Sequence, residues 1–161
     1  MLSGGYSLPS VAQRAEKLLT AGCSIVTLIY YGAEKWMPHY NVMWVAKAAL
    51  EASVRYLAAD LGGKNIRVNA ISAGPIKTLA ASGIGDFRYI LKWNEYNAPM
   101  RRHVSITDVG HNRLYLPLDR SLRVTGAVHH VTSGFHIARL TRPGPPNISL
   151  TNSRGHTMRC P

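Results

Sequence analysis

The chain has 161 residues, of which 46% are hydrophobic and 17% are charged, so it is long enough for one domain with a hydrophobic core. This composition argues against a disordered chain, and no apolar run reaches the length of a membrane-spanning helix. The net charge of +11 would suit an anionic partner, but much of the excess lies after Asp119, the last acidic residue, instead of along one helix.

The first predicted helix starts at Pro9, with Ser7 as its cap, and ends before Gly22. Residues that repeat at helical spacing form its expected apolar face, namely Val11, Ala15, Leu18 and Leu19. The segment 24–30 then presents a run of β-branched residues, which is typical of a buried parallel strand.

The longest predicted helix covers residues 39–61, is rich in alanine and ends at Gly62 and Gly63. Its small residues would allow a second helix to pack closely, so it is also the candidate subunit interface. Residues 66–71 are predicted to form a second buried strand, and strand, helix and strand together indicate a right-handed crossover. The predicted fold class is α/β, a parallel sheet with flanking helices.

A turn of small residues, 72–78, follows that strand at the edge of the sheet where ligands bind in open α/β folds. Gly74 would let the main chain approach a ligand, although a Gly-Pro pair that only makes a turn fits the residues equally well. The next segment, 79–91, is apolar but interrupted by Gly83 and Gly85, which favours a mobile lid over an apolar substrate.

The last elements are less regular. A helix is expected over 106–118, where Pro117 interrupts the pattern, and a strand within 124–131. From Arg139 onward the composition shifts to proline, glycine and polar residues, which predicts a disordered tail. Two cysteines, Cys23 and Cys160, stand at no metal-ligand spacing, and no signal-peptide core is recognisable. We therefore expect a cytoplasmic protein with no metal site, no membrane span and no nucleic-acid partner.

Tyr40 and Lys47 stand seven residues apart at the start of the long helix. Seven residues are close to two helical turns, so both side chains lie on one face, about 10 Å apart along the axis. Tyr30, ten residues upstream of Tyr40, ends the first apolar strand. A cation stabilises a nearby phenolate and any enolate that develops beside it, so these three side chains suit the delivery of a proton. The spacing taken alone also arises by chance.

Four ordered blocks carry a family resemblance: LIYYGAE at 28–34, PHYNVM at 38–43, AKAAL at 46–50 and RVNAISAGPIKTLAASG at 67–83. They resemble the C-terminal half of the NADH-dependent enoyl-acyl-carrier-protein reductases, a divergent branch of the short-chain dehydrogenases. The Tyr-x6-Lys spacing, instead of the Tyr-x3-Lys of the wider superfamily, is similar to that of the enoyl reductase branch.

The resemblance implies NADH as the cofactor and an enoyl chain linked to acyl carrier protein as the substrate. Tyr40 would donate a hydrogen bond to the thioester carbonyl, Lys47 would bind the nicotinamide ribose, and Tyr30 would be the third catalytic residue. The implied cofactor-binding residues are Lys47, Gly74, Pro75, Ile76, Lys77, Thr78, Leu79 and Ala80. The implied substrate-lining residues are Tyr30, Ala80, Ile84 and Phe87.

The resemblance places residues 1–138 in the C-terminal half of a Rossmann-like domain and leaves 139–161 as a divergent tail. The family's first strands and Gly-rich pyrophosphate turn have no counterpart, so the expected sheet lacks its N-terminal strands. The resemblance also implies a homo-oligomer, namely a tetramer.

Several residues depart from the family's pattern. Trp44 stands where the family has a small glycine after Tyr-Asn-Val-Met, on the helix that carries Lys47. Ala127 and Thr132 replace a glutamate and an aspartate, and Pro117 also breaks the usual sequence.

Two functional classes fit these observations. The first is an NADH-dependent enoyl reductase of fatty acid biosynthesis. The second is a truncated, non-catalytic remnant that acts at most as an interaction partner of intact subunits. Nucleic-acid binding through the basic C-terminus is disfavoured, because no aromatic residues interleave the arginines and no known module is recognisable. Reduction of a 3-oxoacyl carbonyl is disfavoured by the Tyr-x6-Lys spacing.

Overall fold

The computed structural model describes residues 3–36, 41–78, 87–138, 150–151 and 157–158. The chain separates into two compact units, Met1–Ala73 with Thr107–Val131 and Gly74–Ile106 with Thr132–Pro161. The division expected after residue 138 stays a prediction, because most of the tail lies outside the described residues. Within that tail, β4 (Leu150–Thr151) and β5 (Thr157–Met158) form a short antiparallel pair.

The first unit is built on a parallel sheet of three strands in the order β1-β2-β3. These strands are β1 (Ser24–Tyr30), β2 (Arg67–Ala73) and β3 (Val128–Val131), which confirms the predicted parallel α/β fold. The central strand, β2, is buried along its length except at Ala73. Because Tyr30 pairs with Ala73 and Ala73 with Val131, the three strands end level with one another.

The long helix α2 (Asn41–Gly62) packs against this sheet. Its inward residues Leu50, Val54, Ala58 and Leu61 join Ile29, Ile66, Val68 and Ala70 in one buried cluster. Burying apolar surface stabilises by roughly 25 cal/mol per Å², so this cluster fixes the helix on the strands. The start of α2, which carries the candidate lysine, is thereby held beside β1.

The first helix, α1 (Ser3–Ala15), differs from the prediction in its start and in its buried face. It begins before Pro9, which lies in the helix interior. Val11 and Leu18 are 64% and 82% exposed, so the predicted apolar face is wrong at these two residues, whereas Leu19 packs against the core. Helix α1 instead turns Gly5, Leu8 and Ala12 inward, with Gly5 against Ala49 of α2. A glycine there permits an approach between two helix backbones that a sequence pattern does not register.

Two further helices follow, α3 (Phe87–Asn97) and α4 (Ile106–Tyr115). Helix α4 ends earlier than predicted, because Pro117 cannot continue a helix. A buried cation holds the segment that follows α4: the guanidinium of Arg67 on β2 donates hydrogen bonds to the carbonyls of Leu116 and Ser121, at 2.6 and 3.1 Å. No helix among the described residues is long and apolar enough to cross a membrane.

Candidate functional site

Tyr30 is the last residue of β1 and lies at the carboxyl end of the sheet, level with Ala73. A single 3-10 turn, Tyr31–Ala33, follows it immediately and buries Tyr31 and Gly32. The strand therefore ends at Tyr30, the predicted third catalytic residue, and the turn begins directly after it. This places the Tyr30 ring at the edge of the sheet where ligands bind in open α/β folds.

The Tyr30 ring is stacked on the indole of Trp44. The two ring centroids are 4.9 Å apart and the ring planes differ by 14°. The same indole lies on Gly32, where an added Cβ atom would come within 2.3 Å of Trp44 Cε3. Trp44 therefore occupies the space beside a candidate catalytic side chain.

Lys47 follows Trp44 by one turn on α2, and its Nζ donates a hydrogen bond of 2.9 Å to the carbonyl oxygen of Leu28 on β1. Partial burial lowers the pKa of Lys47 below its ordinary value, because desolvation disfavours the charged form. An ammonium group has three N–H donors and this contact uses one. The remaining donors can serve hydroxyl groups of a ligand at this end of the strand.

Four residues of the predicted site lie outside the described residues: Tyr40, Leu79, Ala80 and Ile84. Of the predicted substrate-lining residues, Tyr30 is described above and Phe87 is the half-buried first residue of α3. The last part of the predicted lid belongs to this helix, where Leu91 is buried. The structure thus brings Tyr30 and Lys47 to one end of β1 within the first unit.

The predicted cofactor segment Gly74–Thr78 opens the second unit and has no regular secondary structure. A Cβ atom added at Gly74 would come within 3.0 Å of Val104 Cγ2 and 3.5 Å of Thr132 Cα. Packing inside the unit therefore already requires a glycine here, and approach to a ligand is not needed to explain it. Ile76 is half-buried, whereas Lys77 and Thr78 are exposed.

The second unit also contains a cavity of about 10 Å³, lined by Pro75, Asn94, Ala98, Arg102, His103, Val104 and Thr132. A space of this size holds one water molecule and is too small for a nicotinamide ring. Thr132, one of the departures from the family, is buried there and its Oγ1 lies 2.7 Å from Nδ1 of His136.

Sequence reasoning missed a polar contact near the carboxyl end of the sheet. His130 Nε2 on β3 lies 3.3 Å from the Glu34 carboxylate, just after the 3-10 turn. Its neighbour His129 has a pKa below the ordinary value, because burial disfavours the charged form and His130 adds repulsion. Only the alternation of a strand could have suggested that adjacent histidines have different surroundings. Across the described ranges, no three His, Cys, Asp or Glu side chains come together as metal ligands.

Comparison with known proteins extends these observations. A family model described as "Enoyl-(Acyl carrier protein) reductase" matches residues 4–136. The chain is 68% identical over 145 residues to "Enoyl-[acyl-carrier-protein] reductase [NADH] 1" of Rhizobium meliloti, covering 90% of this chain and 53% of that protein. It is 58% identical over 132 residues to the enoyl-[acyl-carrier-protein] reductase [NADH] of Bacillus subtilis, covering 82% of this chain and 51% of that protein.

Solved structures agree. The reductase of Anaplasma phagocytophilum in complex with NAD matches with a TM-score of 0.81 and 53% identity, over 89% of this chain and 52% of that one. The Bacillus cereus enzyme, solved with NADP+ and an indole naphthyridinone, gives 0.82 and 52%, over 85% of this chain and 53% of that one. The chain thus spans about half the length of the relatives it matches.

Proposed function

Because the chain belongs to the enoyl-(acyl carrier protein) reductase family, we propose that it serves the NADH-dependent reduction of an enoyl thioester. The substrate is the trans-2 double bond of an acyl chain carried by acyl carrier protein, a step of fatty acid biosynthesis. The observation that carries the proposal is the convergence of Tyr30 and Lys47 on the carboxyl end of β1, 2.9 Å separating Lys47 Nζ from Leu28 O. The alternative of a non-catalytic remnant is not favoured, since the relatives are named as reductases.

Each residue of the site has its own proposed role in the reaction. NADH, when bound, supplies the hydride that reduces the double bond. Lys47 donates its remaining N–H bonds to the ribose hydroxyls and adds positive charge at the site. Tyr40 donates a hydrogen bond to the thioester carbonyl oxygen, which stabilises the negative charge that develops there as an enolate. Tyr30 lines the substrate site, and its position at the end of β1 supports this role.

The proposed cofactor contacts fit the chemistry of the groups present. The ribose offers hydroxyl oxygens, and an ammonium donates to such acceptors without a fixed plane. The segment Gly74–Thr78 lacks strand or helix hydrogen bonding, so its main-chain groups can serve an amide ligand. We assign the nicotinamide contacts to Ile76 and its neighbours, including Leu79 and Ala80.

Calorimetric titration of the purified chain with NADH tests the proposal. We expect binding in the micromolar range, weakened at least tenfold in Lys47→Ala, which corresponds to about 1.4 kcal/mol or more of binding free energy. Lys92→Ala removes an exposed lysine of α3 and is the matched control, expected to bind as the wild type does. NADH oxidation is then followed with a trans-2-enoyl thioester. Absence of binding at millimolar NADH, or equal loss in both variants, would contradict the proposal.

We also propose that the chain is cytoplasmic and forms a homo-oligomer, a tetramer. Helix α2 supports the oligomer, because its residues Val45 and Tyr56 are 64% and 73% exposed and a second subunit could cover them. Light scattering after size exclusion should give a multiple of 17.7 kDa for the wild type and a smaller mass for Tyr56→Glu. A monomeric wild type would refute the oligomer without bearing on NADH binding.

A further inference from the structure

Trp44 makes contact with two elements of the candidate site at once. One face of its indole stacks on Tyr30, at 4.9 Å between ring centroids and 14° between planes. The six-membered part of the indole lies on Gly32, whose missing side chain leaves just enough room for it. The ring therefore contacts both the last side chain of β1 and the turn that follows.

This arrangement is set by the spacing of residues on both elements. Trp44 and Lys47 are three residues apart on α2 and so lie on one helix face. Their contacts on β1 are the ring of Tyr30 and the main-chain carbonyl of Leu28, two residues apart near the end of the strand. Helix and strand are thereby joined by a ring stack and a hydrogen bond in parallel, and the orientation of the Tyr30 ring is fixed.

We propose that Trp44 is a positioning and specificity-determining residue: it fixes the Tyr30 ring and covers one of its faces. This inference rests on the proposed function, since Tyr30 matters to specificity only if enoyl thioesters bind beside it. A bound acyl chain then cannot reach the ring face that Trp44 covers. A linear alkyl chain needs no flat surface to lie on, whereas an aryl group beside the double bond does, and Trp44 occupies that surface.

The test combines a structural and a binding readout in the purified chain, both with saturating NAD+, which carries no hydride and so leaves the thioesters unreduced. Tyrosine rings are labelled with carbon-13, and the Tyr30 signal is assigned with Tyr30→Phe. The ligands are crotonyl pantetheine and cinnamoyl pantetheine, which differ in the group on the double bond. Trp44→Gly removes the indole and Trp44→Phe keeps a smaller ring. Trp93→Ala is the control, because Trp93 stacks on Tyr89 in the second unit with centroids 5.7 Å apart.

In the wild type we expect the stacked indole to displace the NMR chemical shifts of the Tyr30 ring. The displacement should disappear in Trp44→Gly, persist in part in Trp44→Phe and be unchanged in Trp93→Ala. The preference for crotonyl over cinnamoyl pantetheine, taken as the ratio of Kd values, should fall about tenfold or more in Trp44→Gly, the scale on which a pocket's shape discriminates. It should change less than about threefold in Trp44→Phe.

The outcomes separate this inference from the proposed function. An unmoved Tyr30 signal, or an unchanged Kd ratio, in folded Trp44→Gly overturns the inference even if the wild type reduces crotonyl pantetheine. Selective binding that changes as expected, without NADH oxidation, keeps the inference and refutes the proposed activity. Failure of both thioesters to bind overturns both. If Trp44→Gly does not fold, the partial displacement and retained ratio in Trp44→Phe decide instead.

Discussion

Replacement of Gly32 by alanine tests the tight contact between the 3-10 turn and α2. The added Cβ atom would lie 2.3, 2.5 and 2.6 Å from Cε3, Cζ3 and Cδ2 of Trp44. These are atoms of a rigid ring held against Tyr30, so relief requires that the indole or the backbone move. Overpacking of this kind costs about 1–3 kcal/mol, and we expect Gly32→Ala to lower the free energy of unfolding by that amount.

A double-mutant cycle with Trp44→Ala isolates this clash. Trp44→Ala alone loses the ring stack, worth about 0.5–1.5 kcal/mol beyond the burial of the indole. With the indole absent, alanine at residue 32 meets no ring, so the double variant should be about 1–3 kcal/mol more stable than the sum of the single changes predicts. Urea unfolding followed by circular dichroism measures all four proteins without relying on tryptophan fluorescence.

Gly110→Ala is the matched control for this cycle. Gly110 lies within α4, and a Cβ atom added there has no described neighbour within 4 Å. Alanine is favoured over glycine in a helix by about 0.5–1 kcal/mol, so this variant should be more stable than the wild type. The reasoning is refuted if Gly32→Ala behaves as Gly110→Ala does, or if the coupling energy in the cycle is below about 0.5 kcal/mol.

Three further predictions concern the surroundings of the site. Arg67→Met should lower the free energy of unfolding in urea by about 1.5–3 kcal/mol, because it removes charge-assisted hydrogen bonds to the carbonyls of Leu116 and Ser121. The two carbonyls keep other donors, Ser121 Oγ and Val124 N, so the loss is that of the guanidinium contacts alone, and an effect below about 1 kcal/mol would contradict this. Since the folded pKa of His129 lies below its unfolded value of 6.5, the unfolded state binds the proton first. Stability should therefore fall as the pH drops below 6.5, and by less in His129→Gln; equal losses in both proteins at pH 5.5 would refute the assignment. Ser133 has a φ of 53°, so Ser133→Gly should raise the free energy of unfolding by about 1 kcal/mol. Gly134→Ala should lower it, because φ is 83° there and the added Cβ atom would lie 2.9 Å from Pro99 Cγ. A change of the same sign in both variants would be inconsistent with backbone strain.

The parallel strands could be predicted from the sequence because their signal is local. The runs 24–30 and 66–71 are rich in β-branched or buried apolar residues, and the structure places β1 and β2 there to within two residues. The predicted start of α1 was wrong. Proline is common in the first turn of a helix, which led to a predicted start at Pro9, whereas the observed helix has Pro9 in its interior. The buried face then follows from contact between Gly5 and Ala49, which only the fold creates.

The sequence names candidate site residues, which stay predictions, but it does not reveal their contacts. Tyr30 and Lys47 could be singled out from the chain, whereas the stack of Tyr30 on Trp44 joins residues from two elements. Gly32 alone reads as a turn glycine, and its role becomes visible only when the indole lies on it. Arg67 lies in the predicted buried strand, but its partners could not be predicted, because they come from residues about fifty positions later in the chain.

The two contacts between α2 and β1 constrain how any change at Lys47 is interpreted. Lys47 donates a hydrogen bond to Leu28, so its replacement by alanine removes a structural contact as well as the proposed cofactor contact. Trp44 holds the same two elements together through Tyr30, and this second attachment remains when Lys47 is replaced. The helix should therefore keep its place in Lys47→Ala, and the Tyr30 ring signals report whether it does. If NADH binding is lost and the Tyr30 signals are unchanged, the loss is due to the missing ammonium group. If NADH binding is lost and the Tyr30 signals also change, the loss is due to a shift of the helix.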